Sequence, residues 1–532
     1  MVLHVNLTDY PYPSGRRVIM GSRYAAATSQ PLATLAGMEM FWAGGNAVDA
    51  ALAMAIALTV VEPTSNGIGS DAFALVWDGH LHGLNASGKS PKALTPDHFS
   101  AYDTVPQLGW LPVTVPGAVS AWRSLWERWG KLPFEQLFAP AIRYAEDGFP
   151  VSPETARAWI HAESLFVRQT GKSFQPLKQV FFGGDRAPRA GEMWGSPAHA
   201  ATLRQIAATG GESFYRGSLA EKMAAFAADT EGLLTLEDLK THQPLWVDPI
   251  STTYRDLTVW EIPPNGQGIA ALMALNILEG LELAQYPRDS LQSYHLQIEA
   301  MKLAFADVQQ HVADPDWMTL ATEHLLDKTY AAERRNLIGD RAMLAQTGFL
   351  TGGTVYVAAA DQDVMVSFIQ SNYEGFGSGI LVPGTGIALQ NRGMGFSLAP
   401  GHPNLAGSGK RPFHTIIPAF LTQGNEPLGP FGVMGGHMQP QGHLQVAVNL
   451  RDYGMNPQAA LDAPRWQFLS GRSVLLEQTV PRSVALGLSD RGHQIQTTAE
   501  GQQFGKGQII LRQKGALVAA SEPRADGLAI AG

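Results

Sequence analysis

The sequence predicts an α+β fold in which helical layers cover a sandwich of antiparallel strands. Three observations predict it. Residues 47–61 are apolar nearly throughout, with Asp49 the one charge, and a helix apolar on all sides is a buried one. Two hairpin patterns stand far apart in the chain: 72–77 with 81–84 around Asp78-Gly79, and 354–360 with 364–371 around Asp361-Gln362-Asp363. Between them lies a middle third dominated by helical spacing.

In order along the chain, 31–41 repeats Leu32, Leu35 and Met38 at helical intervals, and Gly44-Gly45-Asn46 separates it from the apolar helix. Helices are expected over 117–129, 134–147, 198–209, 219–228, 269–281 and 290–312. Thr235-Leu236-Glu237-Asp238 has the form of a capping box, with Asp in place of the usual Glu. The texture changes near residue 350. Leu350-Thr351-Gly352-Gly353 is a small, flexible segment, and the strand after it begins at Thr354. A strand over 416–421, a Gly-rich segment over 432–442, a helix over 444–452 and further short strands complete the pattern. No fixed-period repeat is present.

Composition narrows the function. The 532 residues carry 38 basic and 47 acidic side chains, formal charge −9, with no basic cluster, so nucleic acid is not an expected partner. The absence of cysteine removes disulfides, thiolate metal sites and cysteine nucleophiles. Residues 1–20 show no apolar core of a secretory signal, and 47–61 is too short to span a bilayer. The expectation is a cytoplasmic enzyme with no membrane partner.

Several catalytic signatures are missing. There is no G-x-S-x-G elbow and no Walker loop, and Gly67-Ile68-Gly69 lacks the third glycine of a dinucleotide fingerprint. His402, His414, His437 and His443 match no helical metal pair, so no metal and no cofactor is expected. Asp314 and Asp316 flank a proline and read as a turn or cap. A hydroxyl nucleophile without a Ser/His/Asp arrangement needs another base. A threonine that becomes a chain terminus supplies one, its own α-amine. Thr354 meets the local requirements: Gly352-Gly353 allow a bent backbone, and the strand holds the hydroxyl on a rigid element. Read alone, a threonine opening a strand is also ordinary β structure.

Collinear motifs change that balance. Gly44-Gly45-Asn46-Ala47-Val48-Asp49-Ala50-Ala51, Val61-Glu62-Pro63, Gly67-Ile68-Gly69, Val115-Pro116-Gly117, Gly148-Phe149-Pro150-Val151 and Phe214-Tyr215-Arg216-Gly217 occur in that order. Gly377-Ser378-Gly379-Ile380, Lys410-Arg411-Pro412, Gly435-Gly436, Ala463-Pro464-Arg465 and Glu522-Pro523-Arg524 follow. Together, over roughly residues 19–528, they resemble the γ-glutamyltranspeptidases, a family of N-terminal-nucleophile hydrolases. The resemblance implies a four-layer αββα sandwich, made as a precursor that cuts itself before Thr354. Residues 1–353 would form the large chain and 354–532 the small one, intertwined in one core, with a dimer of that unit left open. Thr354 would be nucleophile and, through its α-amine, base; Gly435 and Gly436 would form the oxyanion hole.

Departures from the family pattern concern the substrate. The family's arginine for the glutamyl α-carboxylate falls at Ser87, and its aspartate for the glutamyl amine falls at Gly395. Losing both partners argues against efficient glutamyl recognition. His414-Thr415 stand where the family has paired serines, and either Ser371 or Asn372 replaces its substrate-binding asparagine. Arg392 or His414 is expected to meet a substrate carboxylate. This combination resembles a cytoplasmic branch that hydrolyses oxamate to oxalate and ammonia in purine-ring catabolism. The competing expectations are a γ-glutamyl hydrolase or transpeptidase, an acylase for dicarboxylic acyl side chains, and an unprocessed binding protein.

Overall fold

Side chains along the strand Gly353–Asp361 alternate between two cores. Val355, Val357 and Ala359 join one cluster, whereas Tyr356, Ala358 and Ala360 join another. That two-residue period is the signature of a strand buried on both faces. The strand lies in a computed structural model that describes residue 12 and residues 16–183, 185–348 and 352–532. Leu350 and Thr351 of the expected flexible segment lie outside the described residues.

Two seven-stranded antiparallel sheets form the centre. One runs Leu528–Ala531, Tyr24–Thr28, Gly353–Asp361, Met365–Tyr373, Asp71–Trp77, Leu81–Asn85, Leu245–Val247. The other runs Ile19–Gly21, Ala516–Ser521, Lys506–Gln513, Glu426–Met434, Ala419–Gln423, Leu257–Glu261, Ile250–Tyr254. Between them Phe73, Tyr356, Met365 and Ile369 meet Phe420, Met434, Ile510 and Leu517. Outside the first sheet pack the helices Ala47–Val61, Ala118–Trp129 and Ala139–Asp147; outside the second pack Gly268–Glu279, Leu291–His311 and Met438–Arg451. The architecture is the expected αββα sandwich. Each sheet takes strands from both sides of position 354, so both parts of the chain contribute to both sheets.

The apolar helix covers Ala47–Val61, entirely buried, under a capping box between Asn46 and Asp49. The capping box at Thr235 and Asp238 also forms. Three expectations need correction. Residues 134–147 divide into a 3-10 turn, Phe134–Phe138, and a helix, Ala139–Asp147, because Pro140 lacks the N–H that a continuous helix would use there. The strand expected over 416–421 lies at Ala419–Gln423. The helix expected over 444–452 begins at Met438, with Pro440 in its first turn. Gly442 is there for packing: a Cβ on it would lie 2.6 Å from Val433 Cγ1.

Candidate active site

Thr354 sits where the ladder between its strand and Met365–Tyr373 slips. Gly353 pairs with Tyr373 and Val355 with Gln370, so Ser371 and Asn372 together face Thr354. Such a bulge re-aims side chains next to functional positions. Thr354 Oγ1 donates to Ser371 Oγ at 3.1 Å, and Ser371 Oγ donates to the Gly353 carbonyl at 2.6 Å. The Tyr373 N–H donates to Ser371 Oγ at 2.8 Å, which fixes the serine rotamer. Asn372 turns the other way. Its Oδ1 accepts from Ser70 Oγ at 2.8 Å, and its Nδ2 is buried without a partner.

Gly435 and Gly436 follow the strand Glu426–Met434 with φ of +133° and +60°, a region that favours glycine. A Cβ on Gly352 would lie 3.3 Å from Gly436 Cα, so the pair borders the segment that leads into Thr354. Neither glycine N–H has a protein acceptor among the described residues. Gln267 Nε2 donates to the carbonyls of Gly436 at 2.9 Å and Thr415 at 2.6 Å, tying this loop to the 410–415 strap.

On that strap Thr415 Oγ1 accepts from Arg392 Nη1 at 2.6 Å. Arg392 is 1% exposed, its guanidinium carbon lies 4.6 Å from the Tyr373 ring centre, and its Nε and Nη2 have no partner. Burial lowers its pKa to about 10, which leaves it charged at neutral pH. Two carboxyls feel that charge. Burial raises Glu374 to about 8 and Asp71 to about 7, and in each case Arg392 opposes the rise. Asp71 Oδ1 accepts from the N–H groups of Gly88 and Gly117, and Oδ2 lies 3.2 Å from His414 Nε2. Burial and then Arg392 push His414 well below the usual imidazole range, so of these two it is Arg392 that offers a cation.

Ser87 is buried at the edge of this group, but its hydroxyl donates to Asn85 Oδ1 at 2.7 Å and accepts from Asn265 Nδ2 at 3.3 Å. The structure thus brings Thr354, Ser371, Asn372, Arg392, Thr415, His414, Gly435 and Gly436 into one connected neighbourhood, with Ser87 already engaged. Sequence reasoning missed Asp71, Tyr373, Glu374 and Gln267. Asp71 follows the Gly67-Ile68-Gly69 motif by two residues, and Tyr373 and Glu374 lie in a segment, Asn372-Tyr373-Glu374-Gly375-Phe376, that departs from the family pattern by a local insertion; those were the signals available. Unpaired buried polar atoms collect here: Thr64 Oγ1, Asn372 Nδ2, Glu374 Oε1 and the two Arg392 nitrogens. Five such atoms within one neighbourhood leave hydrogen-bonding capacity that a polar ligand could use. Beside them opens a cavity of about 480 Å³ lined by Thr64, Ser65, Gly352, Gly353, Glu374 and Met434, among others.

The four histidines considered as metal ligands go separate ways. His443 pairs with Glu261, His402 with the Gln309 carbonyl, His437 with Gln267 and His414 with Asp71. A different group, His295, Glu299 and His493, brings its ligand atoms within 4.8 Å of one another. There the Lys302 ammonium donates to Glu299 Oε1 at 2.7 Å and supplies the positive charge that a metal would bring.

The γ-glutamyltranspeptidase family model matches residues 33–532. The chain belongs to the γ-glutamyltranspeptidase family. Within it, the chain is 34% identical to the glutathione hydrolase-like YwrD proenzyme of Bacillus subtilis, over 96% of this chain and 99% of that protein. It is also 34% identical to the oxamate amidohydrolase proenzyme of Klebsiella pneumoniae, over 95% and 97%. Among solved structures, the cephalosporin acylase from Bacillus halodurans superposes with TM-score 0.95 at 54% identity, covering 99% of each chain. The family member described here is accordingly a hydrolase of amide bonds. Among the described residues no helix is long and apolar enough to cross a membrane.

Proposed function

We propose that the chain cuts itself between Gly353 and Thr354, and that Thr354 then hydrolyses amides of an acyl group bearing a carboxylate. The observation that carries the cleavage is the chain of hydrogen bonds from Thr354 Oγ1 through Ser371 Oγ to Gly353 O. Oγ1 attacks the Gly353 carbonyl carbon while the Ser371 hydroxyl stabilises the negative oxygen. The C–N bond breaks, the nitrogen takes a proton, and the resulting ester is hydrolysed by water. Gly353 is left with a carboxylate and Thr354 with a free α-amine.

In the second reaction the α-amine removes the Oγ1 proton, Oγ1 attacks the substrate carbonyl, and the proton passes to the departing amine. The N–H groups of Gly435 and Gly436 receive the oxyanion. Such donors contribute about 2.7–4 kcal/mol each. Arg392, charged and with two free nitrogens, receives the acyl carboxylate. Water then releases the acid.

Of the two carboxylate-bearing readings, a dicarboxylic acyl amide is favoured over oxamate. Oxamate releases ammonia, whereas the cavity over Gly352 and Gly353 has room for a far larger amine. The 54% identity to a cephalosporin acylase supports the same order. Intact mass and amino-terminal sequencing test the cleavage: a small chain must begin at Thr354. Parallel assays with glutaryl anilide, oxamate and γ-glutamyl anilide test the substrate. Turnover of γ-glutamyl anilide above the other two would overturn the reading.

A further inference from the structure

A second cavity, of about 370 Å³, lies between the segments that carry Lys89 and Arg411 and takes no part in the chemistry above. Lys89, Lys92 and Arg411 line it, along with His242 and Asp238. Asp238 is already engaged: Oδ1 accepts from the Lys92 N–H, and Oδ2 from the N–H and hydroxyl of Thr235. The cations are less occupied. Lys89 Nζ has no hydrogen-bond or ionic partner among the described residues, and Lys92 Nζ is 3.9 Å from an exposed Glu237. Arg411 uses Nε on the Ser87 carbonyl at 3.0 Å, and its terminal nitrogens donate to no described residue. Asp314 lies beside it but accepts from its backbone N–H. His242 reports the local field: burial, then Arg411 and Arg216, lower it to about 3. Carboxylates stand near these cations as well: Asp238 and Glu237 by Lys92, and Asp314, then Asp71 and Asp316, around Arg411, yet none of them accepts a hydrogen bond from the Lys89 ammonium or the terminal Arg411 nitrogens among the described residues.

We infer that this cavity is a binding site for a small dianion with clustered oxygens, a dicarboxylate or inorganic phosphate, held by Lys89, Lys92 and Arg411. Its walls connect to the catalytic strap. The Ser90 N–H donates to the Lys410 carbonyl at 2.7 Å, so the Lys89 segment and the Arg411 segment are already joined. Four residues past Arg411 is Thr415, which holds Arg392. An anion bridging Lys89 and Arg411 therefore stiffens the strap that positions the acyl-binding arginine.

The test is calorimetric titration of the purified protein with inorganic phosphate and, separately, with glutarate, compared with the Lys89→Ala/Lys92→Ala variant. Neither lysine touches the catalytic group, so basal activity of the variant is expected to be unchanged. The expected result is an anion site whose affinity falls at least tenfold in the variant and weakens with added salt; whichever ligand binds more tightly identifies the source. In the same titrations Arg392→Ala is expected to retain that site. No binding of either anion, binding untouched by the double substitution, or binding lost only in Arg392→Ala would each overturn the inference. Because binding is read without turnover, its failure is distinct from failure of the proposed reaction.

Discussion

The Ser371 hydroxyl is hydrogen-bonded to the Gly353 carbonyl oxygen at 2.6 Å, on the peptide bond that Thr354 must break to become a terminus. It also accepts the Thr354 hydroxyl, so in the proposed cleavage one serine would both align the nucleophile and polarise its target. Ser371→Ala is expected to slow appearance of the two chains by about 10²–10³-fold, the effect of losing one oxyanion donor. Ser371→Thr keeps the hydroxyl and is expected to restore most of the rate. The measurement is conversion of the full-length band with time, and equal rates for the alanine and threonine variants would remove the assigned role.

If Arg392 receives the acyl carboxylate as proposed, its removal should change which acyl groups bind. Arg392→Ala is expected to raise KM for a glutaryl amide by about 30- to 150-fold, the scale of about 2–3 kcal/mol for a charged hydrogen-bonded contact. An acyl amide without a carboxylate is expected to lose far less. Arg392→Lys is expected to recover only part of the affinity, because an ammonium cannot present two parallel donors. The check is a comparison of KM for charged and uncharged acyl amides across the three proteins. A uniform loss would mean that the arginine supports the fold and does not select substrate.

Glu374 should set an alkaline limit on that selection. Burial raises it to about 8, so below that pH it is neutral and the charge of Arg392 is available to substrate. Above it Glu374 ionises and competes for Arg392. KM for carboxylate-bearing amides is therefore expected to rise further from about pH 8 upward, beyond any change as Asp71 ionises near 7, and Glu374→Gln is expected to abolish that upper part of the rise. Initial rates between pH 6 and 9.5 would show it.

Much of the fold was legible in the sequence because local chemistry and tertiary packing agree there. The Ala47–Val61 helix is apolar on every side and is buried on every side. The hairpin at Thr354 alternates as two-sided burial requires. Where a residue serves a distant partner, the local signal misleads: Gly442 reads as a helix breaker, yet it lets a helix approach Val433. The site divides in the same way. Thr354, Gly435 and Gly436 announce themselves through motif order, whereas Asp71 and Glu374 acquire their character only from burial beside Arg392. Asp71 and Arg392 stand more than three hundred positions apart, and Glu374, though nearer in the chain, takes its character from desolvation that no window of sequence contains.

His199 gives a last prediction, on stability. It is 1% exposed, bonds Ser196 Oγ at 3.0 Å through Nδ1, and is lowered to about 4 by burial alone. In the unfolded chain an imidazole protonates near pH 6.5, so between pH 6.5 and about 4 the unfolded state takes up a proton that the folded state refuses. Stability linked to this group is thus complete above pH 6.5 and is lost as pH falls, by about 1.4 kcal/mol per pH unit and about 3 kcal/mol in all. His199→Gln, which does not titrate, is expected to flatten the acid limb by that slope, whatever its effect at pH 7.5. Chemical unfolding of the uncut Thr354→Ala chain, with and without the second substitution, measures both curves on a single polypeptide. Parallel curves between pH 6.5 and 4 would show that His199 is protonated in the folded state or solvated there, against its burial beside Phe181 and Trp194.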